Sequence, residues 1–225
     1  MSKNLPFAIV RGRHIMLQKL IGIWYTHFHN NFILYVLTIA FFGFGIIFGA
    51  LGLKALGVHE YQDLNDYFQS FISSLGQWEV STISIAQRTI FNHLKTIFIV
   101  WFLGLTVIGI PIILIIMFVR GFVLGFTVGF IVQQRAAGGI IFAFLTVLPP
   151  NLFLVPVFIV AAVSALSFSL GLIKGRLKSG WGGISHFLVT YSALMLFLGL
   201  IAIVGALLEA YVTPVLMQVV VGYYL

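Results

Sequence analysis

The chain has 225 residues, of which 61% are hydrophobic, 16% aromatic and only 8% charged, where a soluble domain carries about 25% charged residues. So few charges cannot cover a water-facing globular surface. There is no cysteine, which excludes a disulfide frame, a thiolate metal cluster and a cysteine nucleophile, and the net charge of +7 sits between apolar runs and not on a soluble basic domain, which argues against a nucleic-acid partner.

The N-terminal residues 1–31 form a cytoplasmic amphipathic segment leading into the membrane. Met16, Leu20, Ile23, Trp24 and Phe28 recur at helical spacing, with Arg13 and Lys19 nearby and a turn expected at Asn30-Asn31. The basic start, short apolar core and small-residue cleavage site of a secretory leader are not found there. The first long apolar run begins at Phe32 and reads as an uncleaved anchor.

Crossing a hydrocarbon core takes about 20 apolar residues. Charges are missing between Lys19 and Lys54, Lys95 and Arg120, Arg135 and Lys174, and Lys178 and Glu209. Helical crossings are therefore expected near 33–53, 96–118, 151–173 and 185–208, since lipid leaves backbone groups no partner outside the helix. Arg11, Arg13 and Lys19 place the N-terminus inside, and Lys174, Arg176 and Lys178 mark a second inside loop. An even number of crossings must lie between these two inside points, so 96–150 must supply two. The preferred third crossing is Gly121 to Leu148, broken at Arg135-Ala136-Ala137-Gly138-Gly139, with Arg120 at the inner face. The alternative is a hairpin at Gly109-Pro111 that puts Arg120 at membrane depth, where a charge marks a pathway or a buried partner. Either way the fold is all-α: a single polytopic membrane domain over 1–225 with about five transmembrane helices, its N-terminus cytoplasmic and its C-terminus extracytoplasmic.

Between the first two crossings, residues 55–95 form an extracytoplasmic amphipathic helical loop. Tyr61, Leu64, Tyr67, Phe68, Phe71, Ile72 and Leu75 make one face, and Glu60, Asp63 and Asp66 belong to the other. Acidic residues in the first turn suit a helix N-terminus. The segment is an interfacial helix or a docking face for an external protein, with Tyr61, Leu64, Asp66, Phe68, Phe71 and Ile72 as its candidate partner-binding residues. A second helix is expected from Ser81.

Small residues recur every fourth position at Gly121, Gly125 and Gly129, at Ala161, Ala165 and Ser169, at Ala202, Ala206 and Ala210, and at Gly45 and Gly49. Such stripes let helix backbones approach closely in lipid. They pack the bundle internally or hold a partner's transmembrane helix. Gly121, Gly125, Gly129, Ala161 and Ala165 are the candidate helix-packing residues.

The carboxylates are Glu60, Asp63, Asp66, Glu79 and Glu209. No two of them are placed to flank a glycosidic bond, and no nucleophile and base stand at plausible spacing. His27 and His29 are expected inside and His59-Glu60 outside, so no metal site is expected. Gly121-Phe-Val-Leu-Gly125 lacks the Lys-Ser/Thr of a phosphate loop. No enzyme activity and no cofactor are therefore expected.

The run Gly109-Ile-Pro-Ile-Ile-Leu-Ile-Ile-Met-Phe-Val-Arg-Gly-Phe-Val-Leu-Gly-Phe-Thr-Val-Gly-Phe130, followed by Leu148-Pro-Pro-Asn-Leu152, Ser167-Phe-Ser-Leu170 and Leu208-Glu-Ala-Tyr-Val-Thr-Pro214, closely resembles the stage II sporulation protein M family of endospore-forming bacteria. The resemblance covers nearly the whole chain in order. It implies a multi-pass cell-membrane scaffold at the sporulation septum and mother-cell engulfing membrane. There it would bind a peptidoglycan amidase, stage II sporulation protein P, and through it the lytic transglycosylase, protein D, during engulfment of the forespore. The broader superfamily often carries a His-Gly pair and a Glu at the start of the fourth span. Pro150-Asn151 and Leu154 stand here instead, so an activity tied to those groups does not carry over. A transporter or channel-like permease is the alternative, motivated by the Gly/Pro breaks and Arg120.

Overall fold

The computed structural model describes residues 28–74, 82–174 and 181–224. All regular structure among them is helical: α1 (Phe32–Gly52), a 3-10 turn (Leu53–Ala55), α2 (Val58–Ser74), α3 (Thr82–Gly104), α4 (Gly109–Ile173) and α5 (Trp181–Tyr224). The expected segment 1–31 lies almost wholly outside the described residues.

Helix α4 is helical over 65 residues, which would extend about 98 Å if straight. It is not straight. Phe68 packs against both Phe130 and Phe142, with ring centroids 5.5 and 6.5 Å apart, and Gly139 sits against the backbone of Ile131 and Val132. The chain therefore reverses near 135–137, giving two membrane-length limbs, Gly109–Gln134 and Gly138–Ile173. A Cβ on Gly139 would meet the Ile131 carbonyl, so the reversal requires a residue without one.

The pairing of α1 with the first limb fixes the count of crossings. Gly45 faces Phe118 and Phe122, Gly49 faces Phe122 and Phe126, Gly121 faces Phe42, and Gly125 faces Ile46. Residue numbers rise together along this contact, so the two helices are parallel. A chain that crosses twice in the same direction must return in between, and α3 is that return. Four helical segments are long and apolar enough to cross by length and composition alone. Helix α3 is not among them, because Arg88 and Lys95 interrupt its apolar character. Its 23 residues nevertheless span about 35 Å. It packs on α4 and α5, with Gly104 against Ala165. Five crossings result, and the charge asymmetry orients them with the N-terminal side inside.

Two boundaries drawn from sequence are corrected. The expected crossing 96–118 is two helices meeting at 105–108, where Thr106 N donates to Leu103 O at 3.0 Å and Gly109 N donates to Thr106 Oγ1 at 3.1 Å. Pro111 falls in the first turn of α4, where its missing N–H has no helical partner to lose. The expected crossing 121–148 fails as drawn, whereas 151–173 falls within the longer limb Gly138–Ile173 and shares its end. The helix passes through Pro149 and Pro150 unbroken, while the reversal lies at Arg135-Ala136-Ala137. Prolines are tolerated inside lipid-embedded helices when neighbours and side chains serve the disturbed backbone. Side-chain bonds lie beside the two prolines, Asn151 Nδ2 donating to Val147 O at 2.8 Å and Thr146 Oγ1 to Phe142 O at 2.7 Å, although neither reaches the carbonyls of Leu145 and Thr146 that the prolines leave without a helical donor.

The core lies where α3, both limbs of α4 and α5 meet. Ile113 and Met117 of the first limb press on Phe158, Ala161, Ala162 and Ala165 of the second, and Leu198 and Ala202 of α5 close the other side, all buried. Towards the inner end the polar contacts are few and specific. Tyr191 OH donates to Trp101 O at 3.0 Å, Trp101 Nε1 to Ser192 Oγ at 3.1 Å, and Ser169 Oγ to Thr106 O at 2.7 Å. Each satisfies a group that apolar surroundings would otherwise leave costly to bury.

Candidate functional site: a polar cavity inside the membrane

Arg120 lies in the middle of the first limb, about 16 Å from Gly109 and about 21 Å from Gln134 along the axis at 1.5 Å per residue. The hairpin at Gly109-Pro111 is therefore the arrangement found, and Arg120 stands at membrane depth and not at the inner face. A guanidinium there costs at least about 2.5–3.5 kcal/mol to insert, so it needs partners. It has two kinds. One N–H donates to Thr96 Oγ1 of α3 at 2.8 Å, and the cation lies 3.4 Å from the centroid of the Phe158 ring, a cation–π contact worth about 2 kcal/mol when desolvated.

At the same depth His93 Nε2 and Glu209 Oε2 are 2.7 Å apart, joining α3 to α5. The His93 side chain is 12% exposed and that of Glu209 40%. The imidazole also lies 5.7 Å from the Phe158 ring, so the same phenyl group neighbours both Arg120 and His93. Arg120 has no carboxylate oxygen within 4.0 Å among the described residues. A cavity of about 490 Å³ joins the two groups, walled by Phe42, Val119, Val123, Leu154 and Phe158 and carrying Thr127, Thr146, Asn151 and Thr213 as further polar side chains. His93 Nδ1 and Thr213 Oγ1 are buried without a hydrogen-bond partner. Helix α5 carries Pro214, and Pro150 lines the cavity; neither can donate to the carbonyl four residues earlier, so the carbonyls of Ala210 and Thr146 lose their helical donor.

The candidate partner-binding residues divide between two directions. Tyr61 and Phe68 turn down onto Phe130, with ring centroids 6.1 and 5.5 Å apart, and Gln134 Nε2 donates to Tyr61 OH at 3.0 Å. Leu64 is half-buried, whereas Asp66 is exposed with Glu60, Asp63 and Tyr67. Helix α2 is thus clamped by its apolar face to the tip of the α4 hairpin, and its polar face points away. Phe71 and Ile72 lie outside the residues whose side chains are described.

The small-residue candidates sit at close helix approaches. Gly121 and Gly125 oppose the backbone of α1, Gly129 faces Ala50, whose Cα would lie only 3.3 Å from an added Cβ, and Ala161 and Ala165 are fully buried in the core. Among the described residues no three His, Cys, Asp or Glu side chains gather to hold a metal ion.

The sequence model of the family described as stage II sporulation protein M matches residues 38–214. The chain belongs to that family. The match takes in α1 from its seventh residue, the whole outer loop, both limbs of α4 and α5 through Pro214, so every side chain of the polar cluster falls within it. As a member of the stage II sporulation protein M family, the chain is a sporulation-related membrane protein. No curated protein and no solved structure matches it.

His93, Thr96, Glu209 and Thr213 were not singled out as a group by sequence. They come from two helices, α3 and α5, and no spacing rule connects positions 93 and 209. The available signal was the isolation of Arg120 and Glu209 within long apolar stretches.

Proposed function

We propose that the chain is a non-catalytic scaffold subunit of a peptidoglycan-degrading complex, acting at the sporulation septum and engulfing membrane during forespore engulfment. It binds the amidase, stage II sporulation protein P, and through it the lytic transglycosylase, protein D. The observation that carries this reading is the posture of α2. The helix meets the hairpin tip through Tyr61 and Phe68 and presents Glu60, Asp63, Asp66 and Tyr67 outwards. A pre-organised helix face lowers the ordering cost of binding, and an acidic face with an aromatic residue offers charge steering together with an anchor. Family membership supports the sporulation setting.

The experiment is co-purification of the amidase from detergent-solubilised membranes. Asp63→Lys/Asp66→Lys with Tyr67→Ala reverses the outward face while leaving Tyr61 and Phe68 in place, and recovery of the amidase falls at least tenfold. Undiminished recovery removes α2 as the docking element.

The intramembrane cavity favours a second reading, a permease. Substrate-dependent flux through proteoliposomes containing this chain alone would support it.

A further inference from the structure

The cavity around Arg120 has more hydrogen-bonding capacity than the protein uses. One of five guanidinium N–H donors is engaged, by Thr96. His93 Nδ1 and Thr213 Oγ1 are buried with no partner. Glu209, the carboxylate at this depth, is held by His93 at 2.7 Å. Arg120 faces the cavity with no carboxylate in direct contact among the described residues, Glu209 acting on it only through space, so its remaining N–H donors are open to a ligand. The cavity walls are apolar, and two of the lining residues, Val119 and Val123, are 49% and 58% exposed on the lipid-facing surface of the first limb. The cavity thus communicates with the hydrocarbon, and its volume of about 490 Å³ is that of a small-molecule site.

We infer that this cavity binds an anionic amphiphile, an oxyanion headgroup of phosphate or carboxylate type carried on an apolar chain, with the headgroup on Arg120 and the chain running out past Val119 and Val123. A planar guanidinium matches either oxyanion with paired N–H donors. Thr213 Oγ1 supplies a further donor to the headgroup, and His93 Nδ1 another in the tautomer that carries its proton there. A freely soluble anion would have to cross apolar walls without the chain that makes entry favourable. The source of the ligand is therefore the bilayer. This inference does not depend on the scaffold reading, since no part of α2 takes part in it.

The test uses the full chain purified in a neutral detergent and native mass spectrometry with four probes: dodecyl phosphate, dodecanoate, dodecanol and inorganic phosphate. The wild type retains one dodecyl phosphate or one dodecanoate, and retains dodecanol and inorganic phosphate at least tenfold more weakly. Arg120→Gln lowers retention of both anionic amphiphiles at least tenfold, whereas Arg88→Gln, which removes an exposed cation outside the cavity, leaves it unchanged. Val123→Trp blocks the exit with Arg120 intact and also lowers retention, so the inference stays testable if Arg120→Gln does not fold. Equal retention of dodecanol overturns the charge assignment, equal retention of inorganic phosphate overturns the bilayer source, and unchanged retention by both Arg120→Gln and Val123→Trp overturns the site.

Discussion

Two glycines of α1 separated by a single residue should respond in opposite directions to the same substitution. A Cβ at Gly43 meets nothing within 4 Å, whereas a Cβ at Gly45 would overlap the carbonyl oxygen of Phe118 and approach Phe122 N to 2.8 Å. Backbone atoms cannot swing away like a side chain, so Gly45→Ala forces α1 and the first limb of α4 apart. Overpacking of this kind costs about 1–3 kcal/mol. Gly43→Ala escapes that cost and gains the difference in helix propensity, about 0.8–1 kcal/mol. Gly45→Ala has the same propensity gain, so the two variants should differ by the overpacking cost alone, about 1–3 kcal/mol, roughly 5-fold to 160-fold in the folding equilibrium. Equilibrium unfolding in mixed micelles of dodecyl maltoside and SDS, followed by helical circular dichroism, measures the difference. Equal stability of the two variants would refute the parallel backbone-to-backbone packing, and with it the argument that α3 must cross the membrane.

Three further outcomes follow from the same geometry. Glu209→Leu leaves His93 without its partner and should cost about 1–3 kcal/mol, near the lower end because the carboxylate is 40% exposed; a double-mutant cycle with His93→Leu should show coupling of about 0.5–3 kcal/mol, and simple additivity would deny the contact. Phe68→Ala removes the half-buried ring that rests on Phe130 and Phe142 and should raise protease cleavage within 58–74, at a cost of about 1–3 kcal/mol given partial burial; unchanged cleavage would detach α2 from the hairpin tip. In intact cells a membrane-impermeant thiol reagent should label Asp66→Cys, leave Lys178→Cys unlabelled until the membrane is opened, and fail to label Arg120→Cys in either state. Labelling of Lys178→Cys from outside would invert the topology.

The number of crossings was legible because charge placement is a global constraint. Basic clusters near 11–19 and 174–178 require an even count between them whatever the boundaries are. Boundaries depend instead on local backbone geometry, which composition reports poorly. Pro111 and Pro149-Pro150 read as breaks, yet the first sits in an opening turn and the second pair lies within a continuous helix. The actual reversal falls at the break expected at Arg135-Ala136-Ala137-Gly138-Gly139, but it divides two crossings where one interrupted crossing was expected, and the close approach of Gly139 to Ile131 marks it. The amphipathic pattern of 58–74 showed which residues share a face but not what that face covers; Tyr61 and Phe68 meet Phe130, far away in sequence. The polar cavity was the least legible feature. Arg120 was visible as an isolated charge, but its companions His93 and Glu209 reach it only through the packing of α3 and α5.

The central claim is that this chain places a wall-degrading amidase at the sporulating membrane. Its most direct test is the position of fluorescently tagged stage II sporulation protein P in sporulating cells that contain the wild-type chain, the Asp63→Lys/Asp66→Lys/Tyr67→Ala variant, or neither. The account predicts septal fluorescence with the wild type and dispersed fluorescence in the other two. Septal accumulation of the amidase in cells without the chain would contradict it.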